Sequence, residues 1–143
     1  MNLFSRAALA AAATVLLSAS AFAAATTVTV KLAGEGGGAM KIDLDKTTIP
    51  GGDVIFNVAN HAMSDGHEMI LVKLNSPDEK IPVDTAKHRI DEKQIDALGE
   101  VAELKPSGTG TLTATLQPGA YVVLCNIKGH FEAGMATKLT VTN

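Results

Sequence analysis

Aromatic residues are scarce in this chain: only 3% of its 143 residues are aromatic, with one tyrosine and no tryptophan. Proteins that bind single-stranded nucleic acid stack bases on such side chains, so this composition disfavours that class. The 12 basic side chains are outnumbered by 15 acidic ones, which leaves no basic surface for a phosphate backbone. A single cysteine, Cys125, excludes an internal disulfide bond. We therefore expect no nucleic-acid partner, and Cys125 is either inert or chemically active.

Motifs for the commonest kinds of catalysis are missing as well. The glycine-rich stretch at 34–38 lacks the Lys-Ser/Thr pair of a phosphate-binding loop. The sequence also shows no Ser-His-Asp order of residues with the turn that would carry a serine nucleophile. We therefore expect a protein that is not an enzyme.

The first 23 residues are predicted to be a signal peptide. Arg6 supplies a short positive region, residues 7–17 are apolar, and the Ala-Phe-Ala motif at 21–23 matches the cleavage rule. The apolar run is too short for a comfortable membrane span, and no stop-transfer charges follow it. We expect one domain over 24–143, exported to a bacterial periplasm, with no membrane span after cleavage. A lone thiol in an oxidising compartment then needs a function.

Apolar and polar residues alternate through most of 24–143, which is the pattern of half-buried strands. Glycine and proline turn signals separate these segments. The predicted strands lie at 27–32, 42–44, 53–60, 67–74, 109–116, 120–125 and 135–142. Short strands joined by such turns predict an all-β domain, either a sandwich or a barrel.

Residues 75–106 interrupt this alternation. Residues 91–98 are predicted to form one or two helical turns that end at Gly99, with Ile95 and Leu98 facing the sheets. This segment is also the most negative part of the predicted surface, through Asp91, Glu92, Asp96, Glu100 and Glu103. Two interpretations stay open: a solvated face, or a docking patch for a basic partner.

The residues most suited to binding a metal are concentrated in one predicted loop between two strands. Cys125, His130 and Met135 are separated by four residues in each gap. A thiolate, an imidazole and a thioether form a soft ligand set that favours copper, and the weak thioether suits an axial position. Gly129 and Gly134 would let the loop fold back beside these side chains.

A trigonal copper site needs a second imidazole, and 24–143 offers three further histidines. His67 begins a predicted strand, just as Cys125 ends one, whereas His61 ends the preceding strand and His88 lies in the polar interruption. We therefore choose His67. The ring of His130 is expected at the surface, and the neighbouring Phe131 belongs to an apolar patch suited to transient docking of a redox partner.

These residues resemble the cupredoxins, the small blue copper proteins related to plastocyanin and azurin. The resemblance lies in residues 119–141, with strand, Cys, Gly-His, Gly-Met and strand in order, and in the His-Glu-Met motif at 67–69. It implies a Greek-key β-sandwich of about eight strands, with one type 1 copper ion at one end. The equatorial ligands would be His67, Cys125 and His130, the axial ligand Met135, and the function single-electron transfer through Cu(I)/Cu(II).

One position departs from the family pattern. Many cupredoxins have asparagine directly after the upstream histidine, where it ties the two ligand loops together, but this chain has Glu68. The tie is therefore expected to be missing or to be made by another residue such as Asn126.

Two other functions remain open at this stage. The first is copper delivery or tolerance, through the same site or through a soft cluster formed by His61, Met63, His67 and Met69. The second is a metal-free interaction domain, which the complete ligand set disfavours.

Overall fold

The computed structural model describes residues 24–143. The predicted signal peptide lies outside these residues. Within them, no helix has both the length and the apolar character that a membrane crossing would require.

The described residues form eleven strands and one 3-10 turn, Glu92–Gln94. The strands are β1 (Thr26–Ala33), β2 (Lys41–Leu44), β3 (Thr48–Pro50), β4 (Gly52–Asn60), β5 (His67–Leu74), β6 (Val83–Asp84), β7 (Arg89–Ile90), β8 (Asp96–Leu104), β9 (Thr109–Leu116), β10 (Gly119–Leu124) and β11 (Ala136–Thr142). Three of them, β3, β6 and β7, have three residues or fewer, so eight longer strands make up the framework. The prediction of an all-β sandwich of about eight strands is confirmed.

Two mixed sheets pack face to face. One has the order β2-β1-β4-β9, the other β3-β11-β10-β5-β8, and β6 and β7 form a separate hairpin. The pairs β1–β4 and β3–β11 are parallel, and the other neighbours in the two sheets are antiparallel. The main core lies between the sheets and holds the alternate apolar residues of their strands, such as Val28, Val30 and Leu32 of β1.

A second, smaller core lies on the other face of the five-stranded sheet. Ile70 and Val72 of β5, together with Val122 and Leu124 of β10, pack there against Ile90 of β7. Because β5 is covered on both faces, its sequence is a continuous apolar run rather than an alternating one.

The helical turns predicted for 91–98 are wrong apart from the three-residue turn at Glu92–Gln94. Asp96 already begins β8, which pairs with β5. Ile95 is half-buried against the second core as expected, but Leu98 is 41% exposed. Packing beside β5 outweighs the weak local helix signal of these residues.

Candidate metal centre

Strand pairing brings the candidate ligands to one end of the sandwich. His67 is the first residue of β5, and Cys125 directly follows β10. Because β5 and β10 are antiparallel neighbours, the start of one lies beside the end of the other. Met135 directly precedes β11, the partner of β10 on its other side.

Three side chains converge at this end. The Nδ1 atoms of His67 and His130 lie 3.1 Å apart, and the Sγ atom of Cys125 lies 3.6 Å from Nδ1 of His130. The candidate donor atoms of the three residues all lie within 4.8 Å of one another. His67, Cys125 and Met135 are 0% exposed, whereas His130 is 9% exposed. The imidazole of His130 is therefore the part of this cluster nearest to solvent.

Backbone hydrogen bonds hold the ligand loop, residues 125–135, in a tight fold. The Cys125 N–H donates to the Met135 carbonyl over 3.1 Å, and the Met135 N–H donates to the His130 carbonyl over 3.0 Å. Gly129 has a φ of +83° and Gly134 a φ of +107°, conformations that favour glycine. The structure thus agrees with the expectation that these two glycines let the loop fold back.

A backbone carbonyl orients the His67 ring. Nε2 of His67 lies 3.0 Å from the carbonyl oxygen of Gly34. Since that oxygen can only accept a hydrogen bond, Nε2 carries the proton and a neutral ring leaves Nδ1 free to act as a metal ligand. Sequence reasoning missed Gly34, because a carbonyl contact leaves no signature in residue type.

The tie between the two ligand loops is present, and Glu68 itself makes it. A carboxylate oxygen of Glu68 accepts a hydrogen bond from the backbone N–H of Asn126 over 2.9 Å. Asn126 directly follows Cys125, so the bond joins the residues next to His67 and Cys125. The expectation that the tie is missing, or moved to another side chain, is wrong: a carboxylate replaces the amide as acceptor.

Burial dominates the electrostatics of the cluster. It raises the pKa of the Cys125 thiol to about 11, and it lowers the pKa of His130, with the neighbouring His67 acting in the same direction. Burial also raises the pKa of Glu68, against the effect of the Asn126 N–H. For Cys125 and His130 these directions favour the neutral thiol and the neutral imidazole, so that metal binding would release the proton of the thiol.

The four-residue soft cluster predicted around residues 61–69 does not assemble. Met69 is fully buried in the main core, whereas Met63 is 91% exposed and His61 is also exposed. His67 belongs to the centre described above. His88 lies outside that centre, and its ring contacts the carboxylate of Glu132.

An all-β sandwich with a buried His, Cys and His cluster at one end is the architecture of the cupredoxins, the blue copper proteins. The profile of the sulfocyanin (SoxE) domain matches residues 6–143, nearly the whole chain. The chain belongs to the sulfocyanin domain family. The cluster, together with Met135, fits one type 1 copper site, and the general role of such proteins is electron transfer.

Solved structures with the same fold include two auracyanins and a rusticyanin. The reduced auracyanin of Roseiflexus castenholzii is 25% identical, with a TM-score of 0.62, and the match covers 85% of this chain and all of that one. Auracyanin A of Chloroflexus aurantiacus, a "blue" copper protein, is 20% identical, with a TM-score of 0.59 and coverage of 83% and 100%. Rusticyanin of Thiobacillus ferrooxidans is 22% identical, with a TM-score of 0.61 and coverage of 85% and 80%. No curated protein sequence matches the chain.

Proposed function

We propose that this protein is a periplasmic electron carrier that binds one copper ion through His67, Cys125, His130 and Met135. The observation that carries the proposal is the convergence of three donor atoms within 4.8 Å in a buried pocket. Thiolate, two imidazoles and a thioether are the donors of a blue copper centre, with the thioether as the weak axial ligand. Bound copper would supply a one-electron Cu(I)/Cu(II) couple, which none of the protein's own side chains provides.

The surrounding residues prepare this pocket before a metal arrives. The Gly34 carbonyl fixes the His67 ring, and the Glu68 carboxylate holds the chain next to Cys125. Backbone bonds within the ligand loop hold Met135 beside the chain of His130. Ligands held in this way move little when their charge environment changes, and small movement keeps the barrier to electron transfer low.

We further propose that partners dock transiently at the surface of His130. His130 is the most exposed of the four proposed ligands, and the neighbouring Phe131 is half-buried against the second core. Weak docking over a small apolar area suits a carrier that must leave its partner after each transfer. The protein would itself catalyse no reaction on a substrate. The signal-peptide pattern of residues 1–23 supports the periplasmic location.

Copper loading of the purified domain tests the proposal directly. One equivalent of Cu(II) should give an intense thiolate-to-copper absorption band and an EPR spectrum with narrow hyperfine splitting. Ascorbate should bleach the band and ferricyanide should restore it. Cys125→Ser should abolish the band, and Met63→Leu is the matched control, since Met63 is exposed and outside the pocket.

A pale Cu(II) spectrum, or tight binding of Cu(I) alone, would contradict an electron carrier. That result would favour copper delivery through the same pocket. Loss of the band in Met63→Leu would contradict the ligand set.

A further inference from the structure

The hairpin formed by β6 and β7 contacts the outer side of the ligand loop at two separate points. At the first, the carbonyl of His88 accepts a hydrogen bond from the Gly129 N–H over 2.8 Å. The ring of the same residue contacts Glu132, with 2.8 Å between Nδ1 and Oε2. Gly129 and Glu132 flank His130, so His88 holds the chain on both sides of a proposed ligand.

Asn126, the residue after Cys125, makes the second contact. Its Oδ1 accepts from the Ile90 N–H over 2.6 Å, and its Nδ2 donates to the Ile90 carbonyl over 3.0 Å and to Glu92 over 2.8 Å. Asn126 is buried, and its side chain mimics a strand partner for the end of β7. The hairpin is therefore bonded to the residue beside Cys125 as well as to those beside His130.

The hairpin is itself firmly held. Ile90 is buried in the second core, and Asp84 accepts backbone hydrogen bonds from Ala86 and Lys87 across the turn. His88 has a φ of +54°, a left-handed conformation that costs energy for a residue with a side chain. Such a conformation persists where the surrounding contacts fix it, and it often marks a position with a function.

We propose that this hairpin braces the metal site, and that His88 and Asn126 are positioning residues that fix His130 and Cys125. The inference rests on the proposed copper site. Cu(II) favours tetragonal surroundings, and a braced loop would prevent the ligands from opening toward that geometry. Removing the brace should therefore favour Cu(II), lower the reduction potential and let copper leave more readily.

His88→Gly is the sharpest variant, because it removes the ring, keeps the carbonyl and relieves the left-handed backbone. Any loss cannot then be attributed to strain at this position. Compared with the parent, copper loss to a chelator should be about tenfold faster in His88→Gly and in Asn126→Ala, the lower end of what is typical when supports of metal ligands are removed. The reduction potential should fall in both variants, and the hyperfine splitting should widen.

Lys87→Ala is the matched control on the same hairpin. The Lys87 ammonium pairs with Asp84, and no hydrogen bond or ion pair joins Lys87 to residues 125–135 of the ligand loop. The potential of this variant and its rate of copper loss should equal those of the parent. Urea unfolding of the metal-free variants separates a positioning role from a merely structural one.

The proposal is overturned if His88→Gly lowers the urea midpoint but keeps the parent's potential, spectrum and rate of copper loss. It is also overturned if Lys87→Ala changes them equally. Failure of the copper site itself is a distinct result, since the parent protein would then show no thiolate band at all.

Discussion

Glu68 shows that a structural contact can be kept when a different type of side chain stands at the position that makes it. Its carboxylate accepts the Asn126 N–H, a bond that joins two segments 58 residues apart. The sequence showed the departure from the family pattern, but a carboxylate and an amide oxygen are both acceptors. Residue type alone therefore does not reveal whether the contact survives.

We expect Glu68→Ala to lower the free energy of unfolding of the metal-free protein by about 1–3 kcal/mol, the cost of leaving a partly buried N–H without a partner. Glu68→Gln keeps an acceptor oxygen and should retain most of the stability. Urea unfolding followed by circular dichroism measures both. Asp78→Ala, at a carboxylate that is 100% exposed, is the control, and an equal loss there would contradict the assignment.

The two glycines of the ligand loop should differ in their tolerance of a side chain. Both have positive φ values, so Gly129→Ala should cost about 1–2 kcal/mol through backbone strain alone. A Cβ at Gly134 would in addition lie 3.0 Å from the Met40 carbonyl, whereas one at Gly129 meets nothing within 4 Å. Gly134→Ala should therefore destabilise the protein more in thermal unfolding. Equal losses would show that the Met40 contact has no effect.

Candidate ligands were accessible from the sequence because their types and spacing are specific. Cys125, His130 and Met135 lie on one loop, and His67 lies at a strand end. The supports, such as the Gly34 carbonyl 33 residues from His67, depend on tertiary contacts that no local pattern encodes.

At the scale of elements, β8 shows where local patterns lose their predictive value. Its sequence is rich in acidic residues and alanine, which are poor strand formers. The strand forms at the edge of the sheet because it pairs with β5, and that pairing has two register shifts. The strands at 67–74 and 109–116, with clear apolar patterns, match the prediction to the residue.

Glu35 attaches the glycine-rich connection between β1 and β2 to the loop that precedes β5. Its carboxylate accepts hydrogen bonds from the Ser64 hydroxyl and from the backbone N–H groups of Met63 and Ser64. The same connection carries the Gly34 carbonyl that orients His67. A side-chain contact on one loop thus supports a ring on another element.

Acid should weaken the hydrogen bonds that Ser64 and Met63 donate to the Glu35 carboxylate. The Ser64 hydroxyl, followed by the Met63 N–H, holds the pKa of Glu35 below its ordinary value of 4.5. A lowered folded-state pKa means that the stabilisation is present above pH 4.5 and is lost as the pH falls through the folded-state value. Glu35→Gln should therefore be less stable than the parent at pH 7, and the difference should shrink in acid. Urea midpoints across this range test the sign, with Glu100→Gln as control, and a difference that persists in acid would contradict it.

On the scale of the whole molecule, the sandwich was predictable and the second core was not. Alternating strands imply a sheet with one buried face, but they do not show what covers the other face. The continuous apolar runs of β5 and β10 were the available signal, since residues such as Ile70, Val72 and Val122 would otherwise face solvent. The segment between β5 and β8 supplies their cover, and with it the hairpin that contacts the ligand loop.

Copper should stabilise the whole fold, because His67 and the ligand loop lie far apart in the sequence and meet only in the folded chain. Free metal at a hundredfold excess over its dissociation constant would add about 2.7 kcal/mol to the free energy of unfolding. Thermal scans with and without one added equivalent of copper should show an upward shift. Cys125→Ser should lose most of this shift, and a full shift in that variant would place the metal elsewhere.

The uneven burial of the four proposed ligands limits where electrons can enter and leave the protein. Only His130 approaches solvent, while the other three are wholly enclosed. For the proposed carrier, arriving and departing electrons must then use the same face. A donor and an acceptor cannot be engaged at once, so each should act as a competitive inhibitor of the other. Turnover would slow when either partner is present in large excess, and the protein would work as a shuttle between them rather than as a bridge.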